Sequence, residues 1–277
     1  MQSDAVTEFA VEVQKLSKRY AKKDTFAFEN IGFQLPRNKV LSLIGSNGSG
    51  KSSLLEIISG TRRPTSGMVT VFGKNPSGMR GRIGYIPQRF GLFDELTVEE
   101  NVRYFSKMYG ADVDIHGLME HYGVSDYSGK RYSSLSGGMK RRTEITCILA
   151  GDPDLIIMDE PSAGLDTESC RELWEMIDEM KGVGKTLIIA SHEIQEVKKH
   201  SDYILMMKNG EQTYWGRPDD IWQTYIITII SDIDPEGFTD GRRTVIGTSE
   251  LRRVLEDLRV AGVPDESIDV ITGEAER

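Results

Sequence analysis

Eight residues constrain this chain more than any other stretch. Gly45-Ser46-Asn47-Gly48-Ser49-Gly50-Lys51-Ser52 fits G-x-x-x-x-G-K-[ST]. The run follows a short apolar segment, Val40–Ile44, and leads into 52–59, whose apolar residues recur at helical spacing. A strand, a glycine-rich loop and a helix in that order open an α/β unit. Glycines let the backbone wrap a phosphate, so that successive N–H groups form an anion nest with a helix N-terminus behind it. In such a loop Lys51 neutralises the β- and γ-phosphates and the Ser52 hydroxyl ligates Mg²⁺, with Ser53 beside it at the nucleotide.

A phosphate site of this kind also needs a metal carboxylate and a group to activate water. Leu155–Met158 is a buried-strand run that ends in Asp159-Glu160, at the carboxyl end where α/β sheets place ligands. Asp159 is suited to hold Mg²⁺. Glu160, on an extended strand end, points the other way and poises the attacking water.

Around these runs the periodicity sketches the fold. Residues 9–13 and 31–35 alternate as strands, 68–72 and 83–86 supply more, and 90–150 turns helical. Thr97 and Glu100 form a capping box ahead of Val102, Phe105 and Met108. The runs 155–158 and 186–190 are continuously apolar, as in a parallel sheet covered on both faces, with a helix over 168–180 between them. A tail from 225 onward reads as a small α+β unit: strands over 225–230 and 268–271, and a helix face of Leu251, Val254, Leu255 and Leu258.

At Leu135-Ser136-Gly137-Gly138-Met139 the chain carries what a generic phosphate-loop protein lacks. This run resembles the LSGGQ signature of ABC-type ATPases, and other motifs stand in that family's order over roughly 6–220. Tyr20 matches the aromatic residue that stacks on adenine, with Phe26 and Phe28 as alternatives. Gln88 matches the Q-loop, Asp166 the D-loop and His192 the H-loop switch. The resemblance implies a P-loop NTPase cassette: a RecA-like core, an antiparallel β subdomain and a helical subdomain at about 90–150. The cassette spans 6–222, and a small acidic domain follows at 225–277. It further implies that ATP is the substrate, with Mg²⁺ held by Ser52, Gln88 and Asp159. Glu160, His192 and Lys51 are then the catalytic residues. Tyr20 and the loop Gly45, Ser46, Asn47, Gly48, Ser49, Gly50 bind the nucleotide. Ser136, Gly137, Gly138 and Asp166 meet it across a head-to-tail dimer, homodimeric or between related chains.

The fifth signature residue is Met139 rather than Gln, followed by Lys140-Arg141-Arg142. That form is similar to the exporter-type subfamily, with an importer subunit or a soluble non-transport ATPase as the alternatives. The three basic residues read as a solvated helix face. Asn38-Lys39 replaces the family's Gly-Glu, and Asn suits the left-handed turn needed there. Thr167 stands where Pro is common.

Composition bounds the partners. The longest apolar runs fall far short of the ~20 residues of a membrane helix, and the polar, acidic start is not that of a signal peptide. A transport role therefore implies a separate transmembrane permease. The segment 88–93 exposes Phe90 and Phe93 as its docking loop, which places the chain at the cytoplasmic face of the membrane. Cys147 and Cys170 read as reduced core residues. The net charge of −9 disfavours nucleic acid, and twelve acidic against six basic residues from Asp232 on concentrate it in the tail.

Overall fold

The computed structural model describes residues 8–20, 25–191, 197, 199–222, 224–229, 242–246, 248–263 and 268–273. They form two compact units, Met1–Trp215 and Gly216–Arg277.

The first unit opens with β1 (Phe9–Arg19) and β2 (Phe26–Pro36), continues through β3 (Val40–Gly45) and α1 (Lys51–Ile58), and reaches β4 (Ser66–Val71). Strands β2-β1-β4 make an antiparallel sheet. Between β2 and β3, Asn38 takes φ 58, the left-handed turn that its residue type favours.

A second sheet carries β5 (Ile83–Ile86), β6 (Leu155–Asp159), β7 (Thr186–Ser191), β8 (Tyr203–Lys208) and β9 (Glu211–Gly216), in the order β5-β6-β7-β3-β8-β9. The pairs from β5 to β8 are parallel. Asn209 and Gly210, both at positive φ, turn β8 into β9 as a two-residue hairpin loop. From β3 the chain runs out to β5, returns through β6 and β7, and passes to β8 on the other side. The phosphate-type loop therefore leaves β3 where the strand order reverses, the crevice where such sheets hold ligands.

Both faces of this sheet are buried, and its side chains alternate between two cores. Leu155, Ile157, Ile188 and Ala190 join α1 and the antiparallel sheet in one. Ile156, Met158, Leu187 and Ile189 join the helices in the other. Those helices are α2 (Val98–Tyr109), α3 (Ile115–His121), α4 (Gly137–Leu149) and α5 (Thr167–Gly182). The Thr97–Glu100 capping box starts α2, and Gly110 at φ 66 ends it.

The second unit holds α6 (Pro218–Trp222), β10 (Thr224–Ile229), β11 (Arg242–Ile246), α7 (Thr248–Val260) and β12 (Ile268–Gly273). Its antiparallel sheet has the order β11-β10-β12. Val254 and Leu258 of α7 are buried, with Val263 just beyond. Strands β8, β9 and β11 go beyond the sequence-based sketch: β9 is a half-exposed edge rich in polar residues, and β11 begins with two arginines.

Candidate nucleotide site

The loop leaves β3 at Gly45 and enters α1 through Gly50. Gly50 has φ 103, and a Cβ there would lie 2.6 Å from the Ala27 carbonyl oxygen, so only glycine fits. Lys51 is 6% exposed; its Nζ donates to the Gly45 carbonyl at 2.7 Å and lies 3.4 Å from Glu160 Oε1. The ammonium thus sits between the loop's own backbone and the acid at the end of β6.

Asp159 closes β6 and is 3% exposed. Burial raises its pKa, helped by the neighbouring Glu160 charge and opposed by the Ser52 hydroxyl and Lys51. One carboxylate oxygen, Oδ1, is buried without a hydrogen-bond partner. A buried, partnerless carboxylate oxygen beside a hydroxyl is a donor set that suits a hard divalent cation such as Mg²⁺. Among the described residues no cluster of three acidic, histidine or cysteine side chains is placed to hold a metal. Such an ion would therefore depend on Ser52, Asp159 and the oxygens of a bound nucleotide.

Glu160 does not continue the strand. Its φ is 51, so it occupies the left-handed region, while its N–H donates to the Ala190 carbonyl of β7 at 2.9 Å. The expectation of an extended strand end is therefore corrected: a left-handed turn, costly for a non-glycine residue, aims this side chain toward Lys51.

These groups line one cavity of about 460 Å³. Lys51, Ser52, Asp159 and Glu160 share it with Asn47, Gly48, Gly50 and Ser53, with exposed Gln88, and with Tyr20 and Phe26. Phe28 is fully buried in the core and drops out as an adenine platform. The Tyr20 hydroxyl shares a 2.8 Å hydrogen bond with Ser53 Oγ. Its ring also lies near two cations, Lys18 Nζ at 5.3 Å and the Arg62 guanidinium at 5.1 Å. Arg62 escaped the sequence reading, since nothing in a turn 42 residues away announces contact with Tyr20.

Gly45, Ser46 and Ser49 form the loop without lining the cavity, and the signature residues lie elsewhere. Exposed Ser136 caps α4 by accepting the Met139 N–H, and Gly137 is exposed after it. A Cβ on Gly138 would lie 2.2 Å from Ser169 Oγ. Ser169 in turn is bound by Asp166, whose Oδ1 accepts its N–H at 2.9 Å and whose Oδ2 accepts its hydroxyl at 3.1 Å. The signature turn and Asp166 are thus joined through one serine. His192 lies outside the described residues.

Two expectations about neighbouring segments change. Arg141 is not on a solvated face: it is 11% exposed and donates to buried Glu144 at 2.8 Å. Glu144 also accepts the hydroxyl of buried Tyr132, and Arg142 pairs with Glu172 of α5. Phe90 and Phe93 are not equally exposed either. Phe90 is half-buried against Phe105, whereas Phe93 is exposed and meets Tyr104 edge-on at 4.8 Å. Of the cysteines, Cys147 is buried and Cys170 half-buried.

The profile of the ABC transporter family matches residues 28–163. The ABC transporter ATP-binding protein NatA of Bacillus subtilis is 32% identical over 213 residues, which cover 73% of this chain and 87% of NatA. The probable multidrug ABC transporter ATP-binding protein YbhF of Escherichia coli is 31% identical over 228 residues. That match covers 79% of this chain but only 39% of YbhF, so the chain spans about two fifths of that relative's length. The structure is similar to cbiO1 of Clostridium perfringens, part of the ABC transporter complex cbiONQ, with a TM-score of 0.70 at 27% identity. That similarity covers 78% of this chain and 91% of cbiO1.

Proposed function

Since this chain belongs to the ABC transporter family, whose cassettes are ATPases, we propose that it hydrolyses ATP as a head-to-tail dimer and drives export through a separate transmembrane permease. The cavity at the reversal point of the sheet carries this reading. It gathers a phosphate loop, a lysine and two carboxylates, yet leaves out the signature turn of the same chain. Exposed Ser136 and Gly137, at the start of a helix thirteen residues long, then serve the γ-phosphate of a second copy, with Asp166 alongside.

In this scheme the backbone N–H groups of 46–51 cradle the phosphates, and Lys51 shifts from Gly45 toward the β- and γ-oxygens. Ser52, Asp159 and Gln88 would hold Mg²⁺, which would supply positive charge beside the phosphates. Glu160 orients the attacking water, with His192 as its partner at the γ-phosphate. Tyr20 stacks on the adenine. The pair Phe93 and Tyr104 offers an exposed aromatic patch to the permease. Export is favoured by the Met139 signature form and by relatives such as the multidrug protein YbhF.

Glu160→Gln in the full chain tests the scheme. With ATP and Mg²⁺ the variant is expected to bind nucleotide and elute as a dimer, while phosphate release falls at least 100-fold, a typical general-base contribution. Near-normal turnover excludes Glu160 as the base, and a monomer at saturating ATP overturns the head-to-tail dimer. Lys51→Ala should lose nucleotide binding or turnover.

A further inference from the structure

Arg62 does more than flank the Tyr20 ring. It lines a second cavity, of about 530 Å³, beside the end of α1 and the start of β4, together with Arg63 and Arg80. Arg80 is fixed by its Nε and Nη2, which donate to the Gly60 carbonyl at 3.2 and 2.6 Å. Arg62 is held by Glu56, at 2.5 Å from Nε to Oε2. Among the described residues the Arg63 side chain makes no hydrogen bond or ion pair, and only its carbonyl is engaged, by Lys18. Three guanidinium groups therefore face one carboxylate, in a chain whose net charge is −9. Gathering like charges in one concavity is unfavourable unless an anion offsets them. Guanidinium forks match phosphate oxygens in pairs, and the volume is that of a small-molecule site. Met68, 52% exposed, and Pro64 supply an apolar wall for the organic part of a ligand.

We propose that this cavity binds the phosphate monoester of a small organic molecule, and that its occupant weakens nucleotide binding through Arg62. The guanidinium of Arg62 links the two sites, lying 5.1 Å from the centroid of the Tyr20 ring that lines the nucleotide cavity and itself lining the basic cavity. A phosphate drawing Arg62 inward removes that cation from the ring and loosens the tyrosine. The coupling rests on the reading of Tyr20 as the adenine platform; the binding site itself does not. Linkage requires the reverse effect as well: bound ATP weakens the phosphate ligand by the same factor.

Glycerol 3-phosphate is the probe. It is titrated calorimetrically into the full chain saturated with Mg²⁺ and a non-hydrolysable ATP analogue, so that the phosphate loop is already filled. Vesicles containing phosphatidic acid are co-sedimented with the same complex to separate a lipid headgroup from a free ligand. Saturable binding is expected, weakened at least roughly tenfold in Arg63→Glu, the loss of one charge-assisted contact. Arg63→Glu without the probe should bind ATP like the parent. Arg63-dependent binding to vesicles alone supports the site and assigns it to a lipid headgroup. Binding of neither probe, with or without the nucleotide analogue, or equal binding by Arg63→Glu, overturns the site. An ATP affinity that does not move while glycerol 3-phosphate binds overturns the coupling. If Tyr20→Ala also leaves ATP affinity unchanged, the platform reading has failed instead.

Discussion

Single side chains set the chemistry of this cassette. Tyr20 is positioned by Ser53 and flanked by Lys18 and Arg62, so two changes separate its ring from its hydroxyl. Tyr20→Ala is expected to weaken ATP binding roughly three- to tenfold, the worth of an aromatic stack. Tyr20→Phe keeps the ring and should lose much less; nucleotide titration of both variants checks this. Behind the signature turn, Glu144 takes hydrogen bonds from both Tyr132 and Arg141 in a buried setting. Tyr132→Phe leaves a carboxylate oxygen short of its donor and should cost about 1–3 kcal/mol in urea unfolding. Gly138→Ala would ordinarily favour a helix, but the contact with Ser169 reverses the sign. Pairing it with Ser169→Gly should recover part of the loss in a double-mutant cycle. These contacts explain what the sequence could and could not tell. Gly45–Ser52, Asp159 and Ser136–Gly138 were legible because short patterns hold their chemistry. Arg62, Glu144 and the left-handed backbone of Glu160 were not, because each depends on a partner or a turn that only folding supplies.

Elements were legible where a continuous apolar run or a cap marked them, although β8 was not, despite burying Ile204, Leu205 and Met207. The continuous apolar runs of β6 and β7 and the capping box of α2 follow directly from their residues. β9 did not announce itself, because an edge strand shows no such run. Thr97→Ala, which removes the acceptor for the Glu100 N–H, should cost about 1 kcal/mol of stability in thermal or urea unfolding. Asp202 joins three elements. Standing directly before β8, it accepts the Val40 N–H at the start of β3 and pairs with Lys181 of α5 and with Lys39. Partial burial alone would raise its pKa, but the Val40 N–H and the two lysines outweigh that and hold it below the usual carboxylate range. A depressed folded pKa means that its contribution is complete above the unfolded value near 3.9 and is lost as pH falls through the folded one. Asp202→Asn is therefore expected to unfold at lower urea than the parent at pH 7, with the gap closing as pH drops below 3.9.

At the scale of the molecule, the first unit has its own cores and the second its own sheet and helix. We expect a chain ending after Trp215 to keep the nucleotide site, with ATP affinity within about twofold of the full chain, as for independent sites. A tenfold loss would show that the second unit supports it. Within the first unit, β6 and β7 divide their side chains residue by residue between two interiors. That division governs which kinds of sequence change the site can survive. Exchanging one aliphatic residue for another in Leu155–Met158 keeps each chain on its own side. Inserting or deleting one residue there would send every following side chain into the wrong interior and carry Asp159 and Glu160 out of step with Lys51. The lineage of this strand should therefore record replacements freely and changes of length almost never.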